Sequence, residues 1–289
     1  MVTLHHRDLG GAGRPPLIIL HGFLGSSRNW QSAGAGLAGR YHVCAVDLRN
    51  HGRSPHAPEM SHTLLADDVL GWMDAQGLAR AALLGHSLGG KVAMRMACRE
   101  PGRVDRLIVV DIAPKAYPEY AQRIEVQAMT ALRLEDLPSR AEAERRLEGS
   151  VKEWAMRKFL LTNLDRGADG NWRWMVNLPV LAASLVGLVQ DPLGPDDRYA
   201  GPALFLLGGH SSFVQPEDHA KIRRHFPAAR IEILAESGHN PHLEARAAFV
   251  AAVLADERPP PPRLLCGAGP ARPGAAPSAP PSGGSSPPA

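Results

Sequence analysis

The chain has 289 residues, 44% hydrophobic and 21% charged, the proportions of an ordinary soluble globular protein with one large α/β domain or two small ones. A formal net charge of +3 provides no basic face for nucleic acid, and no apolar run approaches the roughly 20 residues that span a bilayer. The start, Met1-Val2-Thr3-Leu4-His5-His6-Arg7, has no signal-peptide core and is too short and mixed for a transit peptide, so a cytoplasmic protein is expected. Three cysteines (Cys44, Cys98 and Cys266), with no C-x-x-C pair or metal-like spacing, imply neither a disulfide framework nor a metal site.

In chain order, Leu17 to Leu20 reads as a strand ending at His21-Gly22, followed by a helix from about Trp30 to Leu37 and a strand from Tyr41 to Asp47. A loop rich in Gly, Pro, Asn and His runs from Leu48 to Met60. The helix Ser61 to Gln76 then carries Leu64, Leu65, Val69, Trp72 and Met73 at helical spacing. A strand from Ala81 to Leu84, a helix from Lys91 to Arg99 and a strand from Arg106 to Val110 complete an alternation that implies a mostly parallel sheet with helices on both faces. From about Tyr117 to Tyr199 the pattern turns helical: Ala121 to Arg133, Ser139 to Leu147, Val151 to Leu160 and Leu178 to Val189, with a short Trp172 to Val176 as the one strand candidate. The sheet resumes with Ala203 to Leu207, a helix near Glu217 to Phe226, a last strand from Arg230 to Leu234 and a closing helix from Leu243 to Leu254. A helical insertion between two strands of one sheet is a cap, expected over the carboxyl ends of the strands. The domain is thus 1–258 with its cap at about 117–199. Residues 259–289 contain eleven prolines and no acidic or aromatic residue, so disorder is expected there.

The sharpest local signal is Gly85-His86-Ser87-Leu88-Gly89, a G-x-S-x-G between a strand and a helix. Such a turn exposes a serine hydroxyl at a helix N-terminus, where free N–H groups can receive negative charge. The same glycines could merely turn a strand into a helix, so the rest of the chain must supply a base and an acid. His239, directly after the last strand, is the candidate base. His242 follows in an H-x-x-H, but Pro241 disfavours a helical ligand pair, leaving it a pocket-lining or supporting residue. The usual slot for the acid, after the strand Ala203 to Leu207, holds Ser212 in Gly209-His210-Ser211-Ser212-Phe213-Val214-Gln215-Pro216. A serine cannot stabilise an imidazolium, so Asp111, at the end of the neighbouring strand, is the leading substitute, with Asp191, Asp196 and Asp197 as alternatives. Two backbone N–H groups, of Phe23 and Leu88, are the candidate oxyanion hole, each worth roughly 3 kcal/mol of transition-state stabilisation.

Four segments together resemble the α/β-hydrolase superfamily: His21-Gly22-Phe23-Leu24-Gly25-Ser26, Asp47-Leu48-Arg49-Asn50-His51-Gly52-Arg53-Ser54, Gly85 through Lys91, and Ser237-Gly238-His239. More narrowly, D-x-R-N-H-G-x-S-P, Lys91, Val110-Asp111-Ile112-Ala113-Pro114, Phe159-Leu160-Leu161-Thr162-Asn163-Leu164 and Leu207-Gly208-Gly209 are similar to small bacterial esterases related to the mitochondrial α/β-hydrolase domain-containing protein eleven. The resemblance covers residues 14–254. It implies an α/β-hydrolase fold with the cap inserted after strand six, an acid placed after that strand (hence Asp111), and hydrolysis of carboxylic esters or thioesters without metal or organic cofactor. Asp47, Arg49, Asn50 and His51 would build the loop beside the oxyanion hole, as scaffold in which Asp47 and Arg49 could pair. A mitochondrial address does not carry over.

The leading expectation is a serine esterase or thioesterase acting on a small-molecule acyl ester, with Ser87, Asp111 and His239 as its catalytic residues. The alternatives are carbon–carbon bond hydrolysis or a perhydrolase reaction on the same fold, and a ligand receptor that retains the triad. Met129, Leu132, Trp154, Phe159, Trp172 and Trp174 are candidates for the pocket lining or for the core of the cap.

Overall fold

The computed structural model describes residues 1–255, so the expectation of a disordered tail over 259–289 lies outside the described residues, as does Cys266. The elements run β1 (His6–Asp8), β2 (Pro16–Leu20), α1 (Gln31–Leu37), β3 (His42–Val46), α2 (His62–Ala75), β4 (Ala81–His86), α3 (Leu88–Arg99) and β5 (Val104–Val110). After these come α4 (Ile124–Ala131), α5 (Arg140–Leu147), α6 (Trp154–Leu161), β6 (Leu164–Arg166), β7 (Trp172–Trp174) and α7 (Leu178–Leu188). The described residues finish with β8 (Ala203–Gly208), α8 (Asp218–His225), β9 (Ala229–Leu234), α9 (Pro241–Glu244) and α10 (Arg246–Ala255).

Seven strands form one sheet in the order β1-β3-β2-β4-β5-β8-β9, parallel throughout except for β1, which runs antiparallel to β3. The strands carry side chains to both faces at a period of two. Ile18 and Leu20 join one apolar cluster with Leu83, Leu107 and Val109, and Leu17 and Ile19 join a second with Leu84, Ile108 and Val110. Helices cover both faces: α2 and α3 supply Leu65, Val69, Met73, Val92 and Met96 to the first cluster, while α1 and α10 supply Leu37, Phe249 and Val253 to the second. Burial on both faces explains why β2, β4, β5 and β8 read as unbroken apolar runs.

From β2 the chain steps outward to β3, then returns to place β4 on the other side of β2. The loops leaving β2 and β4 therefore diverge from adjacent strand ends, in register at Leu20 and Gly85. That crevice is where open α/β sheets bind ligands. The cap, from α4 to α7, leaves after β5 and returns to β8, which pairs directly with β5. The strand before the cap is fifth along this chain; the resemblance counts it as the sixth. Two short strands escape the sequence pattern. β1 is a polar edge strand, and β6 pairs with β7 in a small antiparallel ribbon inside the cap. The closing helix is also split, because Ala245 leaves helical geometry between α9 and α10. No helix among the described residues is long and apolar enough to cross a membrane.

Candidate active site

Ser87 sits between the last residue of β4 and the first of α3, at φ 50 and ψ −115. Positive φ of this kind costs a side-chain-bearing residue roughly 1–3 kcal/mol and persists only where the surroundings enforce it. Here three glycines do so. A Cβ at Gly85 would stand 2.2 Å from the Gly89 carbonyl oxygen, one at Gly89 2.2 Å from that of Leu20, and one at Gly90 2.6 Å from Ile112. Strand, turn and helix are packed backbone to backbone, so α3 begins immediately at Leu88 and its first N–H groups lie beside the Ser87 side chain.

Asp111 occupies the equivalent place one strand over. Like Ser87 it lies just past a strand end at φ 50, a conformation that aspartate tolerates better than most residues. Its fully buried carboxylate receives three donors: Gly208 N–H at 2.8 Å, the Ser211 hydroxyl, and His239 Nδ1 at 2.7 Å. Bonding through Nδ1 leaves Nε2 of the neutral imidazole as the free acceptor. The His239 ring lies flat on Phe213, with centroids 3.7 Å apart, and Phe213 lines the same pocket as Ser87. His86, next to Ser87, donates Nε2–H to the His239 carbonyl at 2.8 Å, tying the serine turn to the histidine loop. Gly208 permits this approach, since a Cβ there would stand 2.0 Å from the Gly238 carbonyl oxygen.

Two of the other three acids are engaged elsewhere. Asp191 pairs with Lys221 at 2.5 Å, Asp197 with Arg95 at 3.1 Å, and Asp196 is exposed. Ser212 is exposed, and its neighbour Ser211 is the serine that meets Asp111. The sequence pattern did not single out Ser211; its adjacency to the acid slot was the available signal.

The loop after β3 is a buried polar network. Asp47 accepts from Ser27 N–H at 2.6 Å and Arg53 N–H at 2.9 Å, while Arg49 forms a two-pronged pair with Asp68 at 2.5 and 2.8 Å. The expected pairing of Asp47 with Arg49 is therefore corrected, because α2 carries the buried carboxylate that Arg49 faces. Asn50 and Gly52 both turn at positive φ, 64 and 55. His51 and His21 each hold a backbone N–H on Nε2, that of Leu24 at 3.2 Å and that of Leu48 at 3.0 Å.

A pocket of about 420 Å³, open to solvent, has Ser87 in its wall. The cap contributes Tyr117, Arg123, Leu185 and Leu188, and the sheet side contributes Phe23 and Ile112. None of the six cap residues named from sequence lines this pocket: Met129 and Leu132 are cap core, Phe159, Trp172 and Trp174 pack against it, and Trp154 is 62% exposed. Which helical face meets the sheet depends on the docking of the cap, which spacing does not encode. Lys91, one turn into α3, fastens this roof. Its buried ammonium donates to the carbonyls of Leu188, Val189 and Gln190 at 3.4, 3.0 and 2.6 Å, at the C-terminal end of α7 where positive charge is favourable. Burial lowers its pKa to about 8.

His242 does not line the pocket. It is buried behind the histidine loop, stacked on Trp30 with centroids 4.0 Å apart. It belongs to a set of buried imidazoles, with His21, His51, His62 and His86, all pushed below the ordinary range by burial: to about 3 for His51 and His242, about 4 for His62. Each folded pKa lies below the unfolded value, so the unfolded chain binds protons that the folded chain refuses. Stability is then present above pH 6.5 and lost as pH falls below it, by about 1.4 kcal/mol per pH unit for each of His51, His62 and His242 until its folded pKa is reached. Against a total of about 5–15 kcal/mol, these three groups together remove roughly 6 kcal/mol by pH 5 and predict a melting temperature that falls steadily from pH 6.5 to pH 5. Thermal melts by circular dichroism across this range check it; a melting temperature level down to pH 5 would contradict it.

A family model for the alpha/beta hydrolase fold matches residues 15–246, and the chain belongs to that family and is a hydrolase. Among curated proteins it is 40% identical over 251 residues to the sn-1-specific diacylglycerol lipase ABHD11 of Mus musculus, covering 84% of this chain and 81% of the relative. It is 32% identical over 241 residues to the esterase YbfF of Escherichia coli (strain K12), covering 82% of this chain and 91% of the relative. Among solved structures, a marine microorganism esterase superimposes with a TM-score of 0.85 at 34% identity, covering 88% of this chain and 99% of that one.

Proposed function

We propose that the protein is a serine hydrolase that cleaves carboxylic esters, thioesters included, through an acyl-enzyme on Ser87. The observation that carries this reading is the buried Asp111 bonded to Nδ1 of His239, whose ring stacks on Phe213 of the pocket wall that also holds the strained Ser87. The bare Nε2 of His239 takes the proton of the Ser87 hydroxyl as its oxygen attacks the acyl carbon. The oxyanion is received by the N–H groups of Phe23 and Leu88. Collapse of this intermediate expels the alcohol or thiol, which leaves with the proton from His239. Water, deprotonated by the same nitrogen, then attacks the ester carbonyl of the acyl-enzyme, and collapse returns the proton to Ser87 and frees the carboxylic acid. No step calls on a metal or organic cofactor.

The pocket walls favour an aliphatic acyl chain, since Ile112, Leu185, Leu188 and Val189 face it. The names of the relatives, a diacylglycerol lipase and esterases, agree with an ester substrate. A p-nitrophenyl ester series from acetate to palmitate tests the reading. Steady-state turnover with a short-to-medium chain optimum is expected; absence of turnover on every ester would refute it.

A further inference from the structure

The geometry points to Asn163 of the cap and His51 of the loop after β3 as positioning residues that hold the oxyanion loop in its working shape, so that docking of the cap assembles the oxyanion hole. This rests on the acyl-transfer reading above.

The loop after β2 is a tight turn, Gly22 to Gly25, closed by Gly25 N–H on the Gly22 carbonyl at 2.9 Å. Its third residue, Leu24, has φ 59, where a type II turn normally places glycine or asparagine. A leucine there is strained, and the turn can relax towards type I by flipping its central peptide, which exchanges the directions of the Phe23 carbonyl and the Leu24 N–H. One side chain opposes the flip directly, and a second pins the peptide that follows it. The Leu24 N–H donates to His51 Nε2 at 3.2 Å, so a flipped peptide would present a carbonyl oxygen to a nitrogen lone pair. The Leu24 carbonyl accepts from Asn163 Nδ2 at 2.8 Å. His51 is kept in the required tautomer by Nδ1–H donating to the Arg49 carbonyl at 3.0 Å. The preceding Gly22 carbonyl accepts both Gly25 N–H and His21 Nδ1–H, so the Phe23 N–H, opposite to it in a planar trans peptide, is turned away from those donors.

Both supports lead to the cap. Asn163 is buried between α6 and β6, its backbone held by the Leu160 carbonyl at 3.0 Å and by Met175 N–H at 2.8 Å. The His51 loop is fastened through Asn50, whose carbonyl and Oδ1 accept from Asn177 N–H at 3.0 Å and Nδ2 at 3.1 Å, at the start of α7. The two family-like segments that carry no proposed chemistry, D-x-R-N-H and F-L-L-T-N-L, thus converge on one residue, Leu24, through the two peptide groups that flank it.

The test compares wild type with Asn163→Asp, which keeps the volume and removes the donor, and His51→Phe, which keeps a ring and removes the acceptor. Turnover of the best p-nitrophenyl ester is measured per active site, counted by fluorophosphonate titration. Inhibition by a trifluoromethyl ketone, whose adduct places an oxyanion in the hole, is measured beside a methyl ketone of the same chain. The expected result is a 10- to 100-fold fall in kcat with KM within threefold. Trifluoromethyl ketone affinity should fall in step with kcat/KM while methyl ketone affinity is unchanged. A merely structural role would lower the melting temperature and the number of active sites, leaving kcat per site and ketone affinity intact; that result in either folded variant overturns the inference. An active wild type with unaltered variants overturns the inference alone, whereas a wild type inert to all esters overturns the proposed function and the inference with it.

Discussion

Replacing Ser87 by alanine is expected to lower kcat for ester hydrolysis by roughly 10⁵–10⁶-fold while KM stays within a few-fold, the size of effect seen when the nucleophile of a triad is removed. Alanine leaves the turn, the pocket wall and the Asp111–His239 pair in place, so only the oxygen that forms the acyl bond is lost. Steady-state assays with the best p-nitrophenyl ester measure it, and retention of more than a hundredth of wild-type turnover would count against Ser87. The backbone supplies an independent check. Ser87 is held at φ 50 by the close approach of Gly85, Gly89 and Gly90 and by its backbone bonds to the Val110 carbonyl and Lys91 N–H, none of which involves its side chain. Ser87→Gly should therefore be equally inactive yet more stable than Ser87→Ala by about 1 kcal/mol, the strain being a cost that the reaction imposes.

Asp111→Asn is expected to lower kcat by about 10⁴-fold with little loss of fold. Asparagine has the same shape and tolerates the positive φ that residue 111 adopts. Its amide cannot accept at both positions where Gly208, Ser211 and His239 now donate, so the imidazole is either misoriented or held in the wrong tautomer. Asp191→Asn, by contrast, breaks only the half-exposed pair with Lys221 and should keep wild-type turnover. Parallel assays of the two variants decide between the acids: loss in Asp191→Asn with retention in Asp111→Asn would reverse the assignment.

The sheet was legible because its strands are buried on both faces and its helices present one apolar stripe, the two patterns that hydrophobic periodicity detects. β1 was not, since His6, Arg7 and Asp8 contain no apolar residue and the strand exists only because β3 offers it an edge. At the candidate site, Ser87 and His239 were legible from punctuation, with small residues flanking a turn at a strand end. Asp111 required noticing that the usual slot held a serine. The pocket was not legible. Trp172, Trp174 and Phe159 sit at plausible spacings, but they pack into the cap, and residues at its two hinges, Tyr117, Leu188 and Val189, face the serine instead. Ser211, Lys91 and Asn163 act through partners 97 to 139 residues distant, a separation at which one sequence gives no register.

The central claim is that an acyl group passes through Ser87, and intact-mass spectrometry after treatment with a fluorophosphonate tests it most directly. One adduct per chain is predicted in wild type, located by digestion on the peptide that contains Ser87 and absent from Ser87→Ala. An unlabelled wild type, or an adduct that persists in Ser87→Ala, would contradict the account.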